Sequence, residues 1–223
     1  MKLPSKTIER KLFNDGYTHI IAVDEVGMGC LAGPVVVCAT LFNKSFFQKT
    51  HKNLFWLRDS KLLLPNQRKV FSDALKQDNV RYELTYCFPK TIDRINIYQA
   101  ARTAMRRAIQ KLQVESKKFP PKADPPLAEK VMVLVDGNKK IHGISFKQQP
   151  IVKGDRKVFS IACASILAKV FRDRMMERYA KKFPGYGFEK HKGYSTKLHQ
   201  ARLIELGPSP IHRYSFSRVG KLI

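Results

Sequence analysis

The chain has 223 residues, and 42 Lys plus Arg against 18 Asp plus Glu leave a formal charge of +24. Hydrophobic residues at 43% and aromatics at 10% supply a packed core and exclude a disordered chain, so the length suits one large domain. Cys30, Cys38, Cys87 and Cys163 are too scattered for a disulfide framework or a CxxC zinc site, which fits a reduced, cytoplasmic protein.

Met1 to Ile8 is polar and basic, without the apolar stretch of a signal peptide. Thr18 to Asp24 is an apolar, β-branched run and reads as a buried strand. Pro34 to Phe42 reads as a second, and the short Gly-rich turn between them predicts a hairpin. Gly27, Gly29, Gly33 and Pro34 also break the uncharged stretch Val26 to Asn43, so no membrane span of about 20 apolar residues is expected. Pro65 to Lys76 places Val70, Phe71, Ala74 and Leu75 at helical spacing behind a proline suited to a first turn. Arg81 to Phe88 alternates and predicts a third strand.

Ile92 to Leu112 predicts one long helix, with Ile97, Ala101, Met105, Ala108 and Leu112 on one stripe and arginines on the rest. Pro120, Pro121, Pro125 and Pro126 mark a loop. Lys130 to Asp136 is a fourth strand, apolar throughout and so buried on both faces, and Phe146 to Val152 is a weaker fifth. Ser160 to Tyr179 is a helix whose first half is too apolar for a surface. From Phe183 onward the chain mixes Gly, Pro, His, Tyr and Lys, with a short helix near Thr196 to Leu206. The order predicts one α/β sheet domain, with a core over about 18–180 and a mostly irregular basic extension over about 181–223.

Four acids fall at the ends of these core elements. Asp24 and Glu25 close the first strand, Asp136 closes the fourth, and Asp155 follows the fifth. Buried carboxylates are costly unless paired or bound to metal. Two unit charges 4 Å apart repel by about 4 kcal/mol at an effective dielectric of 20, so a converging set needs a cation or shifted pKa values. Oxygen donors without His or Cys partners favour Mg²⁺ or Mn²⁺ over zinc. Two such ions can activate water against a phosphodiester and stabilise the leaving oxygen. Singly, each acid has a plainer role: Asp24 as a strand-end cap, Asp136 as a turn residue, Asp155 as the anion of a following helix. Adjacent strand residues point to opposite faces, so Asp24 and Glu25 share a site only if the strand ends or bends there. Gly27 and Gly29 allow a bend. The +24 surplus attracts polyanions, with nucleic acid the first candidate.

Seven stretches, in order, resemble ribonuclease HII, the bacterial type 2 ribonuclease H: Ile21 to Val35, Asp59 to Lys61, Ile95 to Arg107, Val135 to Asn138, Lys153 to Arg174, His191 to His199 and Gly207 to Phe216. The resemblance implies an RNase H-like fold, with a mixed five-stranded sheet, flanking helices and a helical C-terminal extension. It implies a monomeric, metal-dependent endoribonuclease that cuts the RNA strand of RNA/DNA hybrids and ribonucleotides embedded in duplex DNA, leaving 5′-phosphate and 3′-hydroxyl ends. Asp24, Glu25, Asp136 and Asp155 would be the catalytic, metal-binding acids. The Gly27-Met28-Gly29 backbone would probe the 2′-hydroxyl, and Tyr194 would stack on a neighbouring sugar, flanked by Lys192 and Lys197. Tyr194 packing on the tail is the plainer alternative; Lys61 either meets a phosphate or is a surface lysine. The chain departs from the family pattern at Met28, where arginine is usual, at Leu62, where a second lysine is common, and at Tyr214, where arginine is common. Met28 cannot hold a phosphate as arginine does, which leaves open a non-catalytic or altered-specificity binder of the same fold. The sister enzyme ribonuclease HIII carries an additional N-terminal domain, for which about 17 residues before the first strand leave no room.

Overall fold

The structure, a computed structural model, describes residues 3–116 and 130–222. The predicted proline-rich loop lies outside the described residues. Five strands, β1 (His19–Val26), β2 (Val35–Asn43), β3 (Arg81–Cys87), β4 (Val131–Asp136) and β5 (Lys147–Ile151), form one sheet in the order β3-β2-β1-β4-β5. β1 and β2 pair antiparallel as the predicted hairpin, β3 adds antiparallel to β2, and β4 and β5 add parallel on the other side. The sheet is therefore mixed. Pro150 sits in β5, an edge strand, where a missing N–H donor is tolerated.

The helices are α1 (Thr7–Asn14), α2 (Lys44–Gln48), α3 (Pro65–Gln77), α4 (Pro89–Ile95), α5 (Ile97–Ser116), α6 (Gly154–Lys157), α7 (Phe159–Lys182), α8 (Phe188–His191), α9 (Lys197–Leu206) and α10 (Ser217–Gly220). β1 alternates strictly between two apolar layers. Ile20 and Ala22 join the layer with α7, while Ile21 and Val23 join the layer with α5. Both faces of the sheet are thus covered, as the continuous apolar runs of β1, β2 and β4 require. The apolar first half of α7 is buried from Phe159 to Ala168, as its sequence predicts. All four cysteines are free and buried, and pack as small apolar side chains. Among the described residues no helix is long and apolar enough to cross a membrane.

Three sequence expectations need correction. The helix predicted over Ile92 to Leu112 is two helices. Asn96 breaks it at φ +62°, and its side chain accepts from Gln99 N at 3.0 Å, capping α5. Asparagine tolerates this conformation, and the cap is stronger than the pull of the apolar stripe. Second, α1 was not expected from a polar, basic N-terminus. It is held by Leu12 and Phe13 in the core and by Glu9, whose buried carboxylate accepts from Ser160 N (2.8 Å) in the first turn of α7. Third, the extension is structured. Leu31 N donates to Gly193 O (2.9 Å), Gly33 N to Ile211 O (2.8 Å) and Arg213 N to Leu31 O (2.8 Å), so the extension brackets the turn between β1 and β2.

Candidate active site

The acids meet where two parallel strands run out. β1 does not end at Asp24: it continues through Glu25 and Val26, still paired with Cys38, Val37 and Val36 of β2. By alternation Asp24 continues the series on the α7 face and Glu25 the series on the α5 face. The bend expected from Gly27 and Gly29 is not what joins them. The pairing of β1 with β4 stops at Val23–Val135, and Asp136 is the last residue of β4. Beyond that point no β4 strand separates the two faces, so acids from both sides reach one another around the end of β4.

Asp136 Oδ1 accepts from Gly154 N at 2.6 Å, which ties the end of β4 to the start of α6 and brings Asp155 alongside. The packing around Gly154 is tight: a Cβ would press on the Ile161 side chain and stand 3.1 Å from Asp136 Oδ1. Asp24 and Asp155 are each 4% exposed. Lys61 Nζ lies 3.2 Å from Asp155 Oδ2, although its side chain is mostly in solvent. Asp59 is buried and accepts from Lys61 N (2.9 Å) and from Arg156 Nε (2.9 Å), fixing the loop that presents Lys61.

The carboxylates repel. Burial, then Glu25 and Asp136, hold Asp24 well above the usual carboxylate range, with a hydrogen bond from Ser165 opposing. Burial, then Asp136, push Glu25 up to about 7. Burial, then Asp155, raise Asp136. Burial would lower Lys61, but the charge of Asp155 and its hydrogen bond outweigh it and the net shift is upward. Four acids from three segments therefore share one electrostatic environment, and the plainer separate roles do not account for that. Asp136 does hold its turn, through Gly154, while also facing the other acids.

Among the described residues no group of three or more His, Cys, Asp or Glu side chains is arranged to hold a metal ion as it stands. The donor set nonetheless fits a hard divalent cation: four carboxylates, mutually repelling and largely desolvated, with Lys61 supplying a positive charge on Asp155.

Two grooves of about 460 Å³ each carry basic side chains, and the first of them reaches the acids. One is lined by Glu25, Met28, Tyr98, Arg102, Asp136 and Lys140. The other is lined by Arg68, Lys69, Lys169, Arg174, Lys192 and Tyr194. The Tyr194 ring is flanked by Lys169 Nζ at 5.4 Å and Arg172 Cζ at 5.8 Å. Lys192, expected beside Tyr194, lines the same groove and pairs its Nζ with Glu177 Oε1 (2.8 Å). Burial, then Cys30, push the Tyr194 hydroxyl up to about 12. The cation–ring contacts arise because α7 runs beneath the extension. Sequence distance hides this, since Lys169 and Arg172 lie more than 20 residues upstream. The Tyr194 backbone also bridges to that of Cys30, which brings this segment to the residue following the Gly27-Met28-Gly29 turn. Ser165 was not singled out from the sequence; a polar residue inside the apolar run of α7 was the available signal.

A doubly covered mixed sheet, an acid cluster at its strand ends and two basic grooves define an α/β enzyme for phosphodiester chemistry on nucleic acid. Residues 21–219 match the family model described as Ribonuclease HII. A ribonuclease HII from Endomicrobium trichonymphae is 42% identical over 217 residues, covering 97% of this chain and 94% of that protein. The chain belongs to the ribonuclease HII family, and its function is that of a type 2 ribonuclease H endonuclease. Two solved structures share the fold. Ribonuclease H2 from Pyrococcus horikoshii OT3 superposes with a TM-score of 0.65 at 24% identity, covering 92% of this chain and 96% of that one. Bst-RNase HIII in complex with Mn²⁺ gives 0.68 at 19% identity, covering 95% of this chain but 71% of that one.

Proposed function

We propose that this endoribonuclease cuts the RNA strand of RNA/DNA hybrids and single ribonucleotides within duplex DNA at the cluster Asp24, Glu25, Asp136 and Asp155, with Mg²⁺ or Mn²⁺. The observation that carries the reading is the convergence of those acids at the end of β4, where burial first and then mutual repulsion hold three of them above their usual range. Divalent ions there would supply a water of lowered pKa and charge compensation at the leaving oxygen. The residues do the rest. Asp136, braced by Gly154, and Asp155, faced by Lys61, are held in place by the α6 turn. Asp24 accepts from Glu25 N (2.8 Å) and is buried on the α7 face. Asp155 is one of the residues that would hold a cation, and a cation there would compete with Lys61 and leave its Nζ for a phosphate. Tyr194 offers a ring to a sugar, and its backbone pairs with Cys30, the residue after the exposed Gly29. The acids, turn and aromatic ring all come from one chain, so a monomer is sufficient. The test is a labelled DNA duplex with one ribonucleotide, incubated with Mg²⁺ or Mn²⁺. Products should carry 5′-phosphate and 3′-hydroxyl ends, and no cleavage in either metal by folded protein refutes the reading.

A further inference from the structure

Two arginines lie in the interior without ion-pair partners among the described residues. Arg172 of α7 and Arg213, just before α10, are both 0% exposed. Burying a guanidinium is costly unless its donors are satisfied. Here they go to main-chain carbonyls. Arg172 donates from Nε to Pro34 O (3.0 Å), from Nη2 to Ala32 O (3.1 Å) and from Nη1 to Lys192 O (2.8 Å). Arg213 donates from Nε to Gly33 O (3.0 Å) and from Nη1 to Met28 O (2.9 Å), with its guanidinium over the Phe216 ring at 5.1 Å. Its Nη2 is buried without a hydrogen-bond partner. Four of the five carbonyls belong to the short link between β1 and β2.

Peptides are planar, and the chain has no cis bond among the described residues, so a carbonyl drawn inward sends the next N–H outward. After Ala32, that N–H is Gly33 N, which is taken by Ile211 O. After Gly33 comes Pro34, with no N–H, and after Pro34 comes Val35, which opens β2. After Met28 the N–H is that of Gly29, at the exposed tip of the turn. Glycine at this position is not demanded by the fold. Its φ lies outside the left-handed region, and a Cβ there would meet nothing within 4 Å. Gly27 differs: at φ +94° a Cβ would strike the Arg172 side chain. Gly29 thus keeps open a space that the folded chain does not fill.

We propose that Arg213 is a specificity-setting positioning residue: by holding the Met28 carbonyl inward it aims the Gly29 N–H at a substrate acceptor oxygen, the ribose 2′-hydroxyl, while Arg172 fixes the same link against the Tyr194 segment. The inference rests on the ribonucleotide-cutting reading above. It also accounts for a methionine in the middle of the turn, since the group being held is a backbone carbonyl and any side chain supplies one.

The test uses full-length protein with two duplexes, one all-deoxy and one with a single ribonucleotide. Binding is read by anisotropy without divalent ions, and kcat and KM with Mg²⁺ or Mn²⁺. Wild-type protein should prefer the ribonucleotide duplex. Arg213→Lys, which keeps a cation but cannot bridge both carbonyls, should lose about tenfold of that preference, as should Gly29→Ala. Arg213→Lys should keep wild-type affinity for the all-deoxy duplex, which a merely structural defect would not spare. Gly29→Ala should melt within a few degrees of wild type, so it decides the matter should Arg213→Lys fail to fold. Folded variants that retain the full ribonucleotide preference overturn the inference. A wild-type protein that neither cleaves nor prefers the ribonucleotide duplex instead overturns the reading beneath it, and the inference with it.

Discussion

Glu25→Gln should stabilise the metal-free protein at alkaline pH while disabling it. The glutamate sits at about 7 in the folded state against an ordinary 4.5, first through burial and then through Asp136. A carboxyl raised in the folded state favours folding while it is protonated, below about 4.5, and that contribution is lost as the pH rises through 7. At about 1.4 kcal/mol per pH unit the full span is worth about 3 kcal/mol, and partial solvation reduces this to about 2. In a chain of this size that is a rise in Tm of about 4–8 °C for the glutamine variant at pH 8 in EDTA. At pH 4.5 the two proteins should melt together, since both then carry a neutral group. Asp24, whose own rise owes part to Glu25, is relieved in the same direction by the substitution. Thermal melts at the two pH values measure the effect. Added Mg²⁺ or Mn²⁺ should raise the wild-type Tm more than the variant's, because a bound cation offsets the repulsion. Equal stabilisation at both pH values, or a variant less stable at pH 8, would refute the claim that Glu25 faces the other acids.

Asp24→Asn should cut turnover by about a hundredfold or more, the equivalent of several kcal/mol of charge stabilisation, yet leave hybrid binding in EDTA intact or tighter. Affinity for a hybrid should fall by about a thousandfold or more between 50 and 200 mM salt if the grooves neutralise six or more phosphates, and a flat response in a salt titration would contradict the charge argument. Met28→Arg should raise affinity or preference for a ribonucleotide at an RNA–DNA junction, measured by competition between duplexes; no change in either would remove a role for that side chain. His199 and His212 form a chain that is satisfied only when both are neutral. Ser209 N donates to His212 Nδ1 (2.9 Å), the two Nε2 atoms share one proton across 3.0 Å, and His199 Nδ1 donates to Tyr194 O (2.9 Å). Burial lowers both to about 4, so their contribution is complete above about 6.5 and lost as the pH falls toward 4. Amide exchange, corrected for intrinsic rates, should show residues 186–216 losing protection over that range while β1 and β2 keep theirs.

Local physics carried much of this protein into view before any fold was known. The continuous apolar runs from Thr18 and Lys130 can only be strands buried on both faces, and the apolar half of α7 can only be a core helix. The surplus of basic residues announces a polyanion. Acids placed at the ends of such elements are conspicuous because burial penalises them, and ordered motif blocks tie them to one family. What pattern could not supply was register. Asp24 and Glu25 face opposite sides of β1, and whether they share a site depends on where β4 stops, a property of another segment more than 100 residues away. The helix break at Asn96 turned on a single cap outweighing a long periodic stripe. The partners of Tyr194 and the carbonyls held by Arg172 and Arg213 were equally hidden. Hydrogen bonds and desolvation act over a few ångströms in space, whereas composition and periodicity report only on neighbours along the chain. Sequence therefore named the chemistry available, and tertiary packing alone decided which groups face one another.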